Sequence, residues 1–201
     1  MKFLSMLLAA LILSGCVSTP SRTPPPAFGA PVFSQMSGQP IFSIRMTQDA
    51  FDGPTDKVFG HFLYIDDSEH HAVHPTVTFY EVRNGKITDV VGGGSGESEQ
   101  FLNRLRSIGL ESFDFNAEID ETNIRESKKA AMDGTRFIGP LVMDGAEHEI
   151  TYSFDGASLS ILAWNPGYSI DFYAKYSPKI AKLKAVLDLV SEFYGRGRIG
   201  I

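Results

Sequence analysis

Alternating apolar and polar residues predict β-strands over much of the chain. Thr76–Arg83 alternates with Val77, Phe79 and Glu81 on one face, and residues 87–91 resume the pattern after Asn84-Gly85. Asn-Gly between two such runs is the strongest short-range hairpin signal, because both positions tolerate positive φ. We predict further strands on the same grounds at residues 41–46, 58–65, 137–143, 147–154 and 157–164, with tight turns at Asp144-Gly145 and Asp155-Gly156 joining the last three.

Helical spacing of apolar residues occurs in three places. Residues 97–108 are followed by Gly109, a suitable C-cap, and residues 122–132 predict a second, exposed helix. The clearest helix follows the N-cap Ser177 and Pro178 at the favoured first position. Its apolar stripe consists of Ile180, Leu183, Val186, Leu187, Val190 and Phe193.

These elements predict an α+β fold. We expect an antiparallel sheet of about six strands, with the C-terminal amphipathic helix packed on one face and one or two further short helices. Residues 41–201 are expected to form one globular domain, because no second boundary interrupts them.

The amino end has a different character. A basic start at Lys2 precedes an apolar run over residues 3–13, which is shorter than the roughly 20 residues that span a bilayer. The run ends in Leu13-Ser14-Gly15-Cys16, which resembles the lipobox of bacterial lipoproteins. That resemblance implies that residues 1–15 are a signal peptide and that Cys16 becomes lipidated after cleavage. Palmitate and other acyl chains on Cys16 would attach the protein to a membrane without releasing it.

The residue after the cysteine indicates which of the two membranes would receive a lipidated protein. Val17 stands where the sorting pattern of enteric bacteria places Asp in proteins retained at the inner membrane, so the resemblance implies an outer-membrane anchor facing the periplasm. The inner membrane remains the alternative. Residues 16–40 contain Pro24-Pro25-Pro26 and carry one charge, Arg22, which predicts a tether reaching roughly 70 Å at polyproline spacing. Phe28, Val32 and Phe33 would allow its end to dock onto the domain.

Composition narrows the classes of partner. The formal net charge is −6, which disfavours nucleic acid because such binding requires clustered Lys and Arg. Cys16 is the only cysteine, so its acylation would leave no thiol for a disulfide or a catalytic nucleophile.

The richest chemistry lies in residues 66–74. His70, His71 and His74 fall within five residues, and Asp67 and Glu69 lie beside them. Imidazole and carboxylate together suit a divalent transition metal, although the spacing matches no common zinc pattern. The alternative interpretation is a solvated loop between two strands. By contrast, we expect His148 to lie on an exposed strand.

Two other segments are candidates for binding. Trp164, Tyr168 and Tyr173 fall in an aromatic-rich stretch, which predicts either a ligand or partner surface or packing against the last helix. The glycine-rich residues 92–97 would place backbone N–H groups around an anion, but they lack a P-loop lysine. The alternative there is a helix cap at Ser95 or Ser98.

The sequence therefore favours a lipid-anchored envelope protein that binds a partner or small ligand without catalysis. A metal-binding or sensing lipoprotein is the second hypothesis. An envelope hydrolase with an unrecognised site is the third, although no Gly-x-Ser-x-Gly elbow is present.

Overall fold

A computed structural model describes residues 38–49, 53–66, 76–141 and 145–193, with the backbone alone for residues 48, 49, 53–66 and 95. Its strands are β1 (Gln39–Asp49), β2 (Gly53–Asp66), β3 (Thr76–Arg83), β4 (Lys86–Gly92), β5 (Ala146–Phe154) and β6 (Ala157–Trp164). Its helices are α1 (Ser95–Ile108), α2 (Phe115–Met132), α3 (Pro166–Tyr173) and α4 (Pro178–Phe193). The α+β class, the antiparallel sheet and the C-terminal helix are confirmed.

The sheet has the strand order β4-β3-β2-β1-β5-β6, and every neighbouring pair is antiparallel. The first four strands form a meander, and β5 pairs with the other side of β1. Asn84 and Asp155, with φ of 51° and 52°, adopt the left-handed conformation in the two tight hairpins, as their sequences predict. The edges of the sheet are therefore β4 and β6.

One face of the sheet carries the core. Phe42, Ile44, Phe79, Ile150 and Ile161 are buried in a single cluster with residues of all four helices. We call this the inner face, and the opposite one the outer face. The predicted stripe of α4 enters the same cluster, with Phe193 only partly buried. α4 contacts the other three helices, so it is the central element of the helical layer.

Two helices differ from the sequence prediction. α2 begins seven residues before the predicted start, because Asp114 caps it through a 2.9 Å bond from the Ala117 amide and Phe115 anchors its first turn in the core. α3 was not predicted, because Asn165-Pro166-Gly167 has the composition of a turn. Pro166 instead occupies the first helical position, which needs no amide hydrogen.

The strand predicted over residues 137–143 is wrong in its described part, because residues 137–141 have no regular structure. Phe137 packs against Phe172 and Tyr176, with ring centroids 5.9 and 5.2 Å apart. A Cβ at Gly139 would lie 2.6 Å from the Tyr173 hydroxyl oxygen, so the backbone runs directly over that side chain. Phe137 and the backbone at Gly139 therefore pack against α3 and its C-terminal end instead of joining the sheet.

Candidate functional site

Most of the predicted site residues lie outside the residues that the structure describes. These are the lipidation candidate Cys16 and the metal-binding candidates Asp67, Glu69, His70, His71 and His74. Across residues 38–193, where they are described, no three His, Cys, Asp or Glu side chains form a group able to hold a metal ion. The described helices also include none that is long and apolar enough to cross a membrane.

The aromatic segment divides into exposed and buried members. Trp164 and Tyr168 are 39% and 62% exposed, so both are accessible, as a binding surface requires. Tyr173 is 4% exposed and donates a 2.8 Å hydrogen bond to Asn123 Oδ1 on α2. Its assignment to the surface is therefore wrong, because its ring and hydroxyl are both used in joining α3 to α2.

Two further exposed apolar residues lie in the segment beside α3, and the sequence did not identify them. The segment that contains Ile138 and Leu141 starts beside Phe172 and passes Tyr173. Gly145 lies beside Asn165, at the other end of α3. Ile138 and Leu141 are more than three-quarters exposed. Large apolar side chains exposed together in this way are typical of interaction surfaces.

The free edge of β6 adjoins the same region. An open cleft of about 570 Å³ lies between this edge and residues 112–116, and its β6 wall extends from Ser158 to Leu162. The Ser158 amide donates a 2.8 Å bond to Ser112 Oγ, so its backbone points away from β5 and into the cleft. Ser112 therefore covers one end of the edge.

The rest of that edge has no pairing partner within the described part of the chain. Backbone groups of a strand alternate in direction, so Ser160 and Leu162 direct their N–H and C=O groups to the same side as Ser158. No hydrogen bond within the described residues uses these groups. The Leu162 side chain is exposed on the outer face, in line with Trp164. The β6 edge therefore combines unpaired backbone groups with exposed apolar side chains.

The glycine-rich loop does not have the features of an anion site. Glu97 Oε2 accepts the Gly94 amide at 3.2 Å, so a carboxylate already occupies the position that an anion would take. Ser98 is fully buried, and its hydroxyl accepts the Val77 amide at 2.9 Å instead of capping α1. Ser98 therefore joins the start of α1 to β3.

One buried carboxylate with a shifted pKa stabilises the fold. Glu118 is buried between Lys179 Nζ at 2.8 Å and Ser177 Oγ at 2.7 Å, and the lysine holds the pKa of Glu118 below its ordinary value. This pair ties α2 to the start of α4.

His148 is buried, contrary to the sequence prediction, and burial lowers its pKa. It lies on β5 next to Glu147, and its side chain faces inward with Ile150 and Tyr152. Its Nδ1 lies 2.9 Å from the Ala146 carbonyl oxygen, so the ring is held by its own strand.

Neither family nor fold resemblance adds to these observations. The chain matches no protein-family model, no curated protein and no solved structure. The features that bear on function are therefore the β6 edge, the exposed residues around α3 and the amino-terminal sequence.

Proposed function

We propose that this protein is a lipid-anchored protein of the bacterial cell envelope that binds an extended segment of a partner protein along β6. The observation that carries the binding proposal is the free β6 edge at Ser160 and Leu162, open to a cleft. An added strand would continue the sheet through main-chain hydrogen bonds. Leu162 and Trp164 would contact its side chains on the outer face.

The composition of the site supports a protein partner. Its exposed side chains are aromatic and aliphatic, and the edge residues Ser158 and Ser160 are uncharged. Aromatic residues are enriched, and most charged residues depleted, at the centres of protein interfaces. A natural edge strand is normally protected by charge, by proline or by a covering segment. Among the residues that the structure describes, β6 has such cover only near Ser112, which is consistent with an edge kept available for a partner.

The anchor part of the proposal rests on Leu13-Ser14-Gly15-Cys16 and on Val17, which favours the outer membrane. Its test is fractionation of cells that express the parent protein or Cys16→Ser. The parent is expected in the outer-membrane fraction, and Cys16→Ser in the soluble periplasm. Membrane retention of Cys16→Ser would show that the anchor lies elsewhere.

The binding part is tested by photocrosslinking in intact cells. A photoreactive residue replaces Leu162 at the edge, and another replaces Gln100 on the exposed side of α1 as the control. A discrete crosslinked partner is expected from position 162 only. Ser160→Pro, made in the same chain, removes an outward N–H without breaking the β5 ladder. It should abolish this crosslink, whereas Ser160→Thr keeps the N–H and should retain it. Equal crosslinking in the two variants would refute strand addition.

Metal binding is a second candidate function, favoured by the density of histidine in residues 70–74. Asp66 pairs with Thr76, so the two ends of this connection lie side by side, as a small chelating loop requires. The test is metal analysis of tag-free protein, with His71→Ala and His74→Ala together as the control. A stoichiometric ion that is lost in the double variant would support the site, and absence of metal from the parent would exclude it.

A further inference from the structure

The outer face of the sheet contains buried apolar residues that the helical layer does not cover. Tyr80 and Val82 are 5% and 1% exposed, yet neither belongs to the core cluster beneath the helices. They alternate along β3 with Phe79 and Glu81, whose side chains face inward, so their own side chains face outward. Burial this complete on an open sheet face requires a covering segment.

The register reveals a gap in the side-chain layer beside them. Gly60 of β2 is paired with Val82 on one side and with Arg45 on the other. Because strands lie about 4.8 Å apart, Val82 and Arg45 stand roughly 10 Å apart on either side of Gly60, which itself has no side chain. Glycine inside a strand commonly marks the close approach of another backbone. Arg45 and its ion-pair partner Glu149 are themselves largely buried on this face.

The start of β1 indicates which segment reaches the position of Gly60. Gly38, the residue before β1, has φ of 98°, a conformation that L side chains rarely adopt. The chain therefore bends sharply there, which allows residues 17–37 to turn back across the sheet. Six residues separate Phe33 from Gln39, and in extended form they span roughly 20 Å. Six residues of β1 also separate Gln39 from Arg45, a similar distance along the strand.

The composition of residues 17–37 suits this position. Arg22 is their only charged residue, so most of the segment can be buried without stranding a charge. Phe28, Val32 and Phe33 form its main apolar group. We propose that residues 28–33 lie across the outer face over Gly60 and cover Tyr80 and Val82.

The docking changes the geometry of attachment. If residues 28–33 are bound to the sheet, the free tether comprises only residues 17–27, which span roughly 34 Å at polyproline spacing. The domain would then be held closer to its point of attachment and in a restricted orientation. The inference concerns contacts within the chain and does not rest on the proposed anchor or partner.

Thiol reactivity tests the docking in residues 16–201 with Cys16→Ser, a chain that has no other cysteine. Val82→Cys reports the outer face, Val90→Cys an exposed site, and Val190→Cys the core beneath the helices. In the parent, the Val82→Cys thiol should react with an aromatic disulfide reagent about tenfold or more slowly than the Val90→Cys thiol.

The reporters are then combined with changes in the segment. Phe28→Ser, Val32→Ser and Phe33→Ser together should speed the reaction of the Val82→Cys thiol about tenfold or more. Serine at Pro24, Pro25 and Pro26 is the matched control and should leave it unchanged. The Val190→Cys thiol should stay protected throughout, because the core remains folded. Continued protection of the Val82→Cys thiol in the triple serine variant would overturn the proposal.

A crosslink provides a measurement that needs no destabilising change. The pair Phe33→Cys and Val82→Cys should form a disulfide on mild oxidation, whereas Phe33→Cys with Gln100→Cys on the helical side should not. Failure of the first pair, or equal yield from both, would place the segment elsewhere.

Discussion

Ser98 provides a direct test of how α1 is fixed to the sheet. Its hydroxyl accepts a hydrogen bond from the Val77 amide at 2.9 Å. Val77 lies on β3 next to Thr78, which pairs with Gly92 at the end of β4. The same hydroxyl donates to the Gly93 carbonyl oxygen at 3.3 Å. Ser98→Ala removes both bonds while hardly changing the volume of the side chain. The Val77 amide is then left without an acceptor in a fully buried position.

The expected cost follows from that loss. A buried donor without its partner costs about 1–3 kcal/mol, so we expect the free energy of unfolding to fall by about 2 kcal/mol. For a domain of this size, that corresponds to a decrease in Tm of about 4–8 °C. The assay is urea denaturation of residues 16–201 with Cys16→Ser, followed by far-UV circular dichroism.

Ser107→Ala is the matched control. Ser107 lies on the exposed side of the same helix, and its hydroxyl bonds the Arg104 carbonyl oxygen at 2.7 Å. Its loss is expected to cost less than about 0.5 kcal/mol. Hydrogen exchange should also accelerate at the Val77 amide in Ser98→Ala alone. Equal stability of the two alanine variants, with unchanged exchange at Val77, would refute the proposed attachment.

Three further changes test other contacts. Lys179 lowers the pKa of Glu118 from its ordinary 4.5, so this carboxylate stabilises the fold above pH 4.5 and the stabilisation disappears as pH falls through the lowered pKa. In denaturation measured over a range of pH, Glu118→Gln should remove this loss of stability in acid. An unchanged dependence of stability on pH would contradict the proposed role of Glu118. Burial lowers the pKa of His148 from 6.5, so the unfolded chain protonates first and stability should decrease as pH falls below 6.5. Between pH 7 and pH 5.5, the free energy of unfolding should fall less in His148→Gln than in the parent protein. Equal decreases in the two proteins would argue against burial of His148. Tyr173→Phe leaves Asn123 Oδ1 without its donor and should lower the free energy of unfolding by about 1 kcal/mol in urea denaturation. An unchanged free energy of unfolding would show that the bond is absent.

Local chemistry was sufficient to predict the hairpins and the last helix. Asn84-Gly85 and Asp155-Gly156 determine their turns through positive φ, and the Ser177 hydroxyl accepts the Ile180 amide at 3.3 Å as an N-cap should. These features depend on residues close together in sequence. They can therefore be identified without knowledge of the tertiary structure.

Distant contacts account for the elements that were missed. The buried face of α2 includes Glu118, a residue that normally indicates solvent, and its burial depends on Ser177 and Lys179 some sixty residues later. Residues 137–141 resemble a strand in composition, but Tyr173 gives them another surface to cover. Neither partner can be recognised from the segment itself.

The candidate site was predicted only in part for a related reason. Trp164 and Tyr168 were identified by their residue type, but the free edge at Ser160 and Leu162 depends on strand order. Which strand lies at an edge is determined by pairings between distant parts of the chain. The alternation within β6 is the same whether that strand is central or peripheral.

The position of β1 between β2 and β5 has a consequence for folding kinetics. The β1–β4 meander and the β5–β6 hairpin each form through contacts close in sequence, whereas Ser43 meets Thr151 across 108 residues. Closing so long a loop is entropically costly, and pairings of this kind slow folding. We therefore expect joining of the two halves at β1 to be a late step. Until then, both the β1 and β5 edges are open to mispairing, so the chain would be most vulnerable to aggregation in that interval.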